Sequence, residues 1–117
     1  MEYITLGKTE ISVSNISLGT WAYGGAKISG SQSVGWADQA DVDSKKALLK
    51  AHEVGINHWD TADVYGDGRS ESIIGSIWND ISRDEIFLAT KVGWDMGTFD
   101  HWYHPEKMIE NMDRSLK

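Results

Sequence analysis

GINHWDTADVYGDGRSE, Gly55–Glu71, carries the reading of the fold. Ile56–Asp60 predicts a short strand. Side chains alternate along a strand, so His58 and Asp60 share one face and Trp59 takes the other. A polar pair opposite a Trp predicts an inner, lumen-facing side and an outer side covered by helices. Beyond the turn, Ser70 is placed to cap a helix over Ser70–Trp78, with Ile73, Ile74 and Ile77 as its apolar stripe. A strand followed by a helix is one βα unit.

Similar units flank it. Upstream, Asn15–Trp21 predicts a strand and Val42–Val54 a helix, with Asp41 or Asp43 as N-cap and Gly55 as its left-handed terminator. Downstream, Ile86–Val92 is a nearly continuous apolar run, as in a strand buried on both faces. Pro105 then opens a helix over Pro105–Lys117, with Met108, Met112 and Leu116 on one face and Ile109 beside them. Tyr3–Leu6 and Ile11–Val13, joined across Gly7-Lys8-Thr9, predict an N-terminal hairpin. The order is hairpin, then β-α-β-α-β-α, an α/β arrangement with a parallel sheet and right-handed crossovers. Residues 22–40 stand apart as a polar stretch with Gly24, Gly25, Gly30 and Gly35 and an isolated Trp36. Loops of that length are commonly lids or binding loops, and a mobile lid is the expectation here.

Bulk properties narrow the function. With 11 basic and 18 acidic residues the net charge is −7, which disfavours binding to phosphate backbones. There is no cysteine, so disulfides and thiolate metal sites are excluded. That fits a reducing cytoplasm, the expected location. No run approaches the ~18 apolar residues of a membrane span.

Parallel βα folds gather reacting groups where strands end. The first strand ends in Gly19-Thr20-Trp21, the second at Asp60 ahead of Tyr65, and the third in Thr90-Lys91-Val92-Gly93. Asp60, Tyr65 and Lys91 are therefore expected on one rim. An ammonium beside a phenol stabilises the phenolate and makes the phenol a better acid, and a carboxylate can hold the Lys in place. Such a trio can protonate a developing alkoxide, while the hydride of a carbonyl reduction must come from a nicotinamide. Spacing alone leaves open an ordinary Asp–Lys ion pair.

Gly55–Glu71 resembles the signature of the aldo-keto reductases. Ala89–Gly93, ATKVG, resembles that family's lysine strand, and Leu6–Gly25 its N-terminal hairpin and first barrel strand, most like bacterial members. The resemblance implies the N-terminal portion of a (β/α)8 TIM barrel: one partial domain over 1–117, with the hairpin at 3–13 and three βα units over 15–117. It implies NADPH-dependent reduction of a small-molecule carbonyl substrate. Tyr65 would be proton donor, Lys91 the group that makes it acidic, and Asp60 the anchor of Lys91. Gly19, Thr20, Trp21 and Asp60 would line the nicotinamide end of the cofactor site.

The family's fourth catalytic residue, a His on a fourth strand, has no match here. His58 lies a layer below Asp60 and is expected to be a packed lumen residue. His101 and His104 lack a third metal partner and are expected on a loop rim. Trp21, Trp36, Trp94 and Trp102 are candidates to frame an aromatic pocket, with Trp59 and Trp78 as packing. Gly66-Asp67-Gly68 begins like a dinucleotide fingerprint, but Glu71 stands at the third glycine position, and a tight turn is the better reading. Since a whole barrel takes about 250 residues, the 117 residues are expected to be an inactive fragment, with exposed edges that favour self-association. The alternative on the same fold is a cofactor-sensing regulatory subunit, like the potassium-channel β subunits.

Overall fold

A computed structural model describes residues 1–29, 32–95 and 97–117. The strands are β1 (Tyr3–Thr5), β2 (Ser12–Ser14), β3 (Ser17–Gly19), β4 (Lys27–Ser29), β5 (Gln32–Val34), β6 (His58–Asp60) and β7 (Phe87–Ala89). The helices are α1 (Asp41–Glu53), α2 (Arg69–Gly75) and α3 (Pro105–Ser115). β3, β6 and β7 form a parallel sheet in the order β3-β6-β7. Its register sets Ser17, His58 and Phe87 in one row, Leu18, Trp59 and Leu88 in the next, and Gly19, Asp60 and Ala89 in the last.

That register confirms the parity expected around Trp59. Trp59 is fully buried with Leu48 of α1, Ile73 and Ile74 of α2, and Tyr23, Ile77 and Ile86. Its ring stacks on Trp78 at 6.2 Å and its indole N–H donates to Ile56 O at 2.8 Å. The opposite face carries His58 and Asp60. At the strand-start end, hairpin β1–β2 is tied to the chain entering β6: Ser14 N donates to Asn57 Oδ1 at 2.7 Å and Tyr3 Oη to Gly55 O at 2.9 Å. The hairpin thus closes one end and leaves the strand exits free.

Gly55 ends α1 as expected. At φ +85° it donates to His52 O at 2.9 Å, and Ile56 N reaches Ala51 O at 2.8 Å. This pattern satisfies two carbonyls at the helix end. Pro105 opens α3.

Several expectations are corrected. The first strand stops at Gly19, and Trp21–Gly24 forms a 3₁₀ turn. Lys91 and Val92 lie past the end of β7, although pairing persists through Thr61 N to Ala89 O (2.9 Å) and Asp63 N to Lys91 O (3.0 Å). Neither Asp41 nor Asp43 caps α1; Ala40 holds that position, because Asp41 is engaged by Arg69 Nε at 3.0 Å and Asp43 by Lys46 at 3.4 Å. Gly68, left-handed at φ +92°, precedes α2, and Ser70 lies inside it. The polar stretch 22–40 contains the β4–β5 hairpin; Gly30 and Ser31, and with them part of the expected lid, lie outside the described residues.

The largest correction concerns α3. It buries Lys107 and Asn111, and leaves Ile109 63% and Leu116 78% exposed. Ion pairs turn the polar face inward: Lys107 meets Asp95 at 3.1 Å, and Arg114 meets Asp95 at 3.5 Å and Asp63 at 3.8 Å.

Candidate active site

The ends of β6 and β7 bring Asp60 and Lys91 together. Lys91 Nζ donates to both Asp60 carboxylate oxygens at 2.8 Å and to Thr61 O at 2.6 Å. All three of its donors have acceptors, so its position is well defined. The pair is about half exposed and faces the open side of the sheet.

Tyr65 joins the pair from the following turn. The Lys91 ammonium lies 5.3 Å from the Tyr65 ring centre, a cation–π distance. The turn is fixed by backbone packing against the 3₁₀ turn after β3: a Cβ on Gly24 would meet Gly66 N and Tyr65 C at 2.6 Å. Gly66, Asp67 and Gly68 all have positive φ, so the glycine pair serves a left-handed turn. Lys27 pairs with Asp67, and Arg69 Nη2 donates to Gln39 O at 2.8 Å, which anchors the β4–β5 loop to the same end of the sheet.

The aromatic residues divide. Trp21 meets Trp36 edge-on at 4.8 Å and lies 6.4 Å from Tyr65, forming a wall beside the rim. Trp102 packs on Gly93 and Tyr103, while Trp94, at φ +65°, is 81% exposed. The structure therefore assembles Trp21 and Trp36 at the rim, and not all four indoles.

The model of the aldo/keto reductase family matches residues 15–117. The chain belongs to that family. It is 33% identical over 121 residues to a probable voltage-gated potassium channel subunit beta from Oryza sativa subsp. japonica, covering 100% of this chain and 33% of the relative. It is 34% identical over 120 residues to the aldo-keto reductase YhdN of Bacillus subtilis, covering 100% and 34%. An NADH-specific methylglyoxal reductase of Escherichia coli is 38% identical over 96 residues, covering 80% and 27%. Among solved structures, glycerol dehydrogenase from Gluconobacter oxydans superposes with a TM-score of 0.74 at 29% identity, covering 97% and 34%. An aldo-keto reductase from Klebsiella pneumoniae in complex with NADPH gives 0.60 at 27%, covering 92% and 32%. This aldo/keto reductase chain spans about a third of the length of these relatives. Its hairpin and βα units are part of the (β/α)8 barrel of the family.

The nicotinamide-site candidates take unequal places. Gly19 is bare at the strand end, and a Cβ there would meet nothing within 4 Å, so the space above it is open. Trp21 presents an exposed aromatic face beside Tyr65, and Asp60 lies on the same row of the sheet as Gly19. Thr20 differs: it is fully buried, and its N and Oγ1 both reach Asp60 O at 3.0 Å. Ser70 Oγ lies 2.8 Å from Thr20 Oγ1 and 3.0 Å from Thr61 Oγ1. Thr20 thus serves in a buried hydroxyl trio that joins β3, β6 and α2, and its side chain is not free for a cofactor.

Sequence reading took Ser70 only for a helix cap and gave Asp63 no role. Asp63 is 1% exposed; its Oδ2 accepts from Gly93 N at 3.3 Å and its Oδ1 has no partner. Burial pushes its carboxyl above the ordinary value, against the lowering effect of the Gly93 N–H. The loop histidines stack on aromatics, His101 on Tyr103 at 4.0 Å and His104 on Phe99 at 4.3 Å. His58 packs edge-on against Phe87 at 5.5 Å. No group of three metal-ligating side chains occurs among the described residues, nor a helix long and apolar enough to cross a membrane.

Proposed function

We propose that the full-length protein reduces aldehydes and ketones to alcohols with NADPH, and that Tyr65 is its proton donor. The observation that carries this reading is the Lys91 ammonium, held by Asp60 and Thr61 while its charge sits over the Tyr65 ring. Gly19, Trp21 and Asp60 would hold the nicotinamide end of NADPH, which would supply the hydride. The residues of this chain handle the proton. As a C–H bond forms at the carbonyl carbon, the oxygen gains negative charge, and Tyr65 Oη gives it a proton. The phenolate left behind is stabilised by Lys91, whose geometry Asp60 fixes. The aromatic wall of Trp21 and Trp36 suits a substrate with an apolar body.

NADPH is preferred because the family member from Klebsiella pneumoniae holds it. The Escherichia coli relative, named for NADH, makes a titration with both cofactors the deciding measurement. The 117 residues alone are proposed to be inactive, since they match about a third of the relatives. Submicromolar NADPH binding with aldehyde turnover by a monomer of residues 1–117 would refute that.

Tyr65→Phe tests the central reading. In the full-length protein it should slow hydride transfer by about 10²-fold or more while cofactor affinity changes little. Wild-type stopped-flow rates in this variant would rule out Tyr65 as the acid. The rice channel subunit supports a second reading, in which cofactor binding serves regulation. Tight NADPH binding without turnover of any aldehyde tried would favour it.

A further inference from the structure

We infer that Asp63 is a positioning residue, fixing the segment Lys91–Gly93 at the exit of β7 so that the Lys91 amine stays on Asp60. The inference rests on the catalytic reading of Lys91 given above.

Bonding between the two strand exits runs Thr61 N to Ala89 O, then Asp63 N to Lys91 O. The next rung is lost, because Tyr65 N turns back to Ala62 O at 3.1 Å. Asp63 replaces it with a side chain: its Oδ2 accepts the buried Gly93 N–H at 3.3 Å. Lys91 is therefore bracketed by one residue, which holds its carbonyl and the amide two residues on. Gly93 needs such a hold. Its φ of +154° suits glycine, and the Trp102 ring lies where a Cβ would come within 3.1 Å.

A carboxylate in this place is costly. Asp63 is 1% exposed, lacks a partner at Oδ1, and has Arg114 only at 3.8 Å. The adjacent Ala62 is also buried and apolar. A buried ionisable group is a burden on stability unless its hydrogen bonds are needed. The acceptor for Gly93 N is that need. A competing account makes Asp63 a mere anchor for α3 through Arg114, and the two accounts respond differently to mutation.

The test uses the full-length protein, NADPH as probe, and single-turnover hydride transfer per titrated cofactor site. Asp63→Ala should slow the step about 10- to 100-fold, since small misplacements of a catalytic group have effects of that order. Asp63→Asn keeps the acceptor and should stay within about threefold of wild type, as should Arg114→Met. Asp63→Leu, similar in shape but without an acceptor, replaces the Ala variant if that fails to fold. Wild-type rates in Asp63→Ala alongside a slow Lys91→Met would overturn the positioning role. So would an Asn variant as slow as Ala, or Arg114→Met as slow as either. A fast Lys91→Met would instead overturn the catalytic reading of Lys91. In the wild type, the Gly93 amide should be protected from hydrogen exchange, and free exchange there would overturn the inference without any variant.

Discussion

Leu48 of α1 and Ile73 and Ile74 of α2 lie directly against Trp59, each at most 4% exposed. Helix α3 does the reverse: Lys107 and Asn111 face inward, and Ile109, Met112 and Leu116 face outward. The first half is sealed by apolar burial, worth about 25 cal/mol per Å² of apolar surface removed from water. The second half is held by ion pairs with partly exposed partners, which are individually worth little. It also leaves both side-chain polar atoms of Asn111 buried and unpartnered, a cost of about 1–3 kcal/mol. One part of the chain therefore specifies its own packing, while the other carries an apolar stripe with no cover among the described residues.

The largest expected effect falls on the sealed half. Trp59→Ala removes the ring that Trp78, Leu48 and Ile74 close upon, and strands the carbonyl of Ile56. In the full-length protein it should cost about 3–5 kcal/mol, read from the shift of the denaturant midpoint at constant slope. A cost below about 1 kcal/mol would mean that the core around Trp59 relaxes freely, and the contrast between the halves would fail.

The same contrast marks what the sequence made legible. Period-two parity was enough to put Trp59 on the helix side and Asp60 at the rim, because a three-residue strand allows no other alternation. Gly55 and Pro105 announced a helix end and a helix start through backbone chemistry that few other residues satisfy. The meeting of Asp60 and Lys91 followed from their places at neighbouring strand ends. Other features had no such mark. Backbone pairing in β4–β5 needs no apolar pattern, so a polar stretch concealed a hairpin. Ser70 looked like a cap because a buried hydroxyl and a capping hydroxyl use the same residue type before the same helix. The stripe on α3 declared an amphipathic helix but not which face would turn inward, and Asp63 looked like any loop acid until its burial was seen.

A smaller effect separates the halves by pH. The hydrogen bond from Lys107 holds Asp95 below its ordinary value of 3.8, and the same bond holds Lys107 above 10.5. Asp95 therefore stabilises the α3 contact above pH 3.8, and that contribution is lost as pH falls through its lowered value. Lys107 contributes fully below pH 10.5, and loses its contribution as pH rises through its raised value. Asp63 runs the other way. Burial raises its carboxyl above 3.8, so the folded chain binds the extra proton and stability falls as pH rises through that window. Protection of the α3 amides relative to their intrinsic exchange rates should be greatest between about pH 4 and 10, and Lys107→Met should flatten that dependence. An α3 whose protection is the same at pH 3 and pH 7 would show that the ion pairs do not hold it.

The smallest expected effect is the sharpest test of the contrast. Ile109 is 63% exposed, on a shallow apolar surface with Val92, Met108 and Met112. Ile109→Ser removes little buried area in the chain as described, so residues 1–117 alone should lose no more than about 0.5 kcal/mol, while Leu48→Ala in the same chain should lose about 2–5. The full-length protein provides the second arm. Exposed apolar stripes of this kind are normally covered by a partner surface. If the remainder of the barrel covers this one, Ile109→Ser there should cost more than about 1 kcal/mol, read from the same denaturant midpoint. A cost near zero in both would mean that the outward face of α3 is its permanent surface. A large cost in residues 1–117 alone would place Ile109 against its own chain, and the described contrast between the two halves would be wrong.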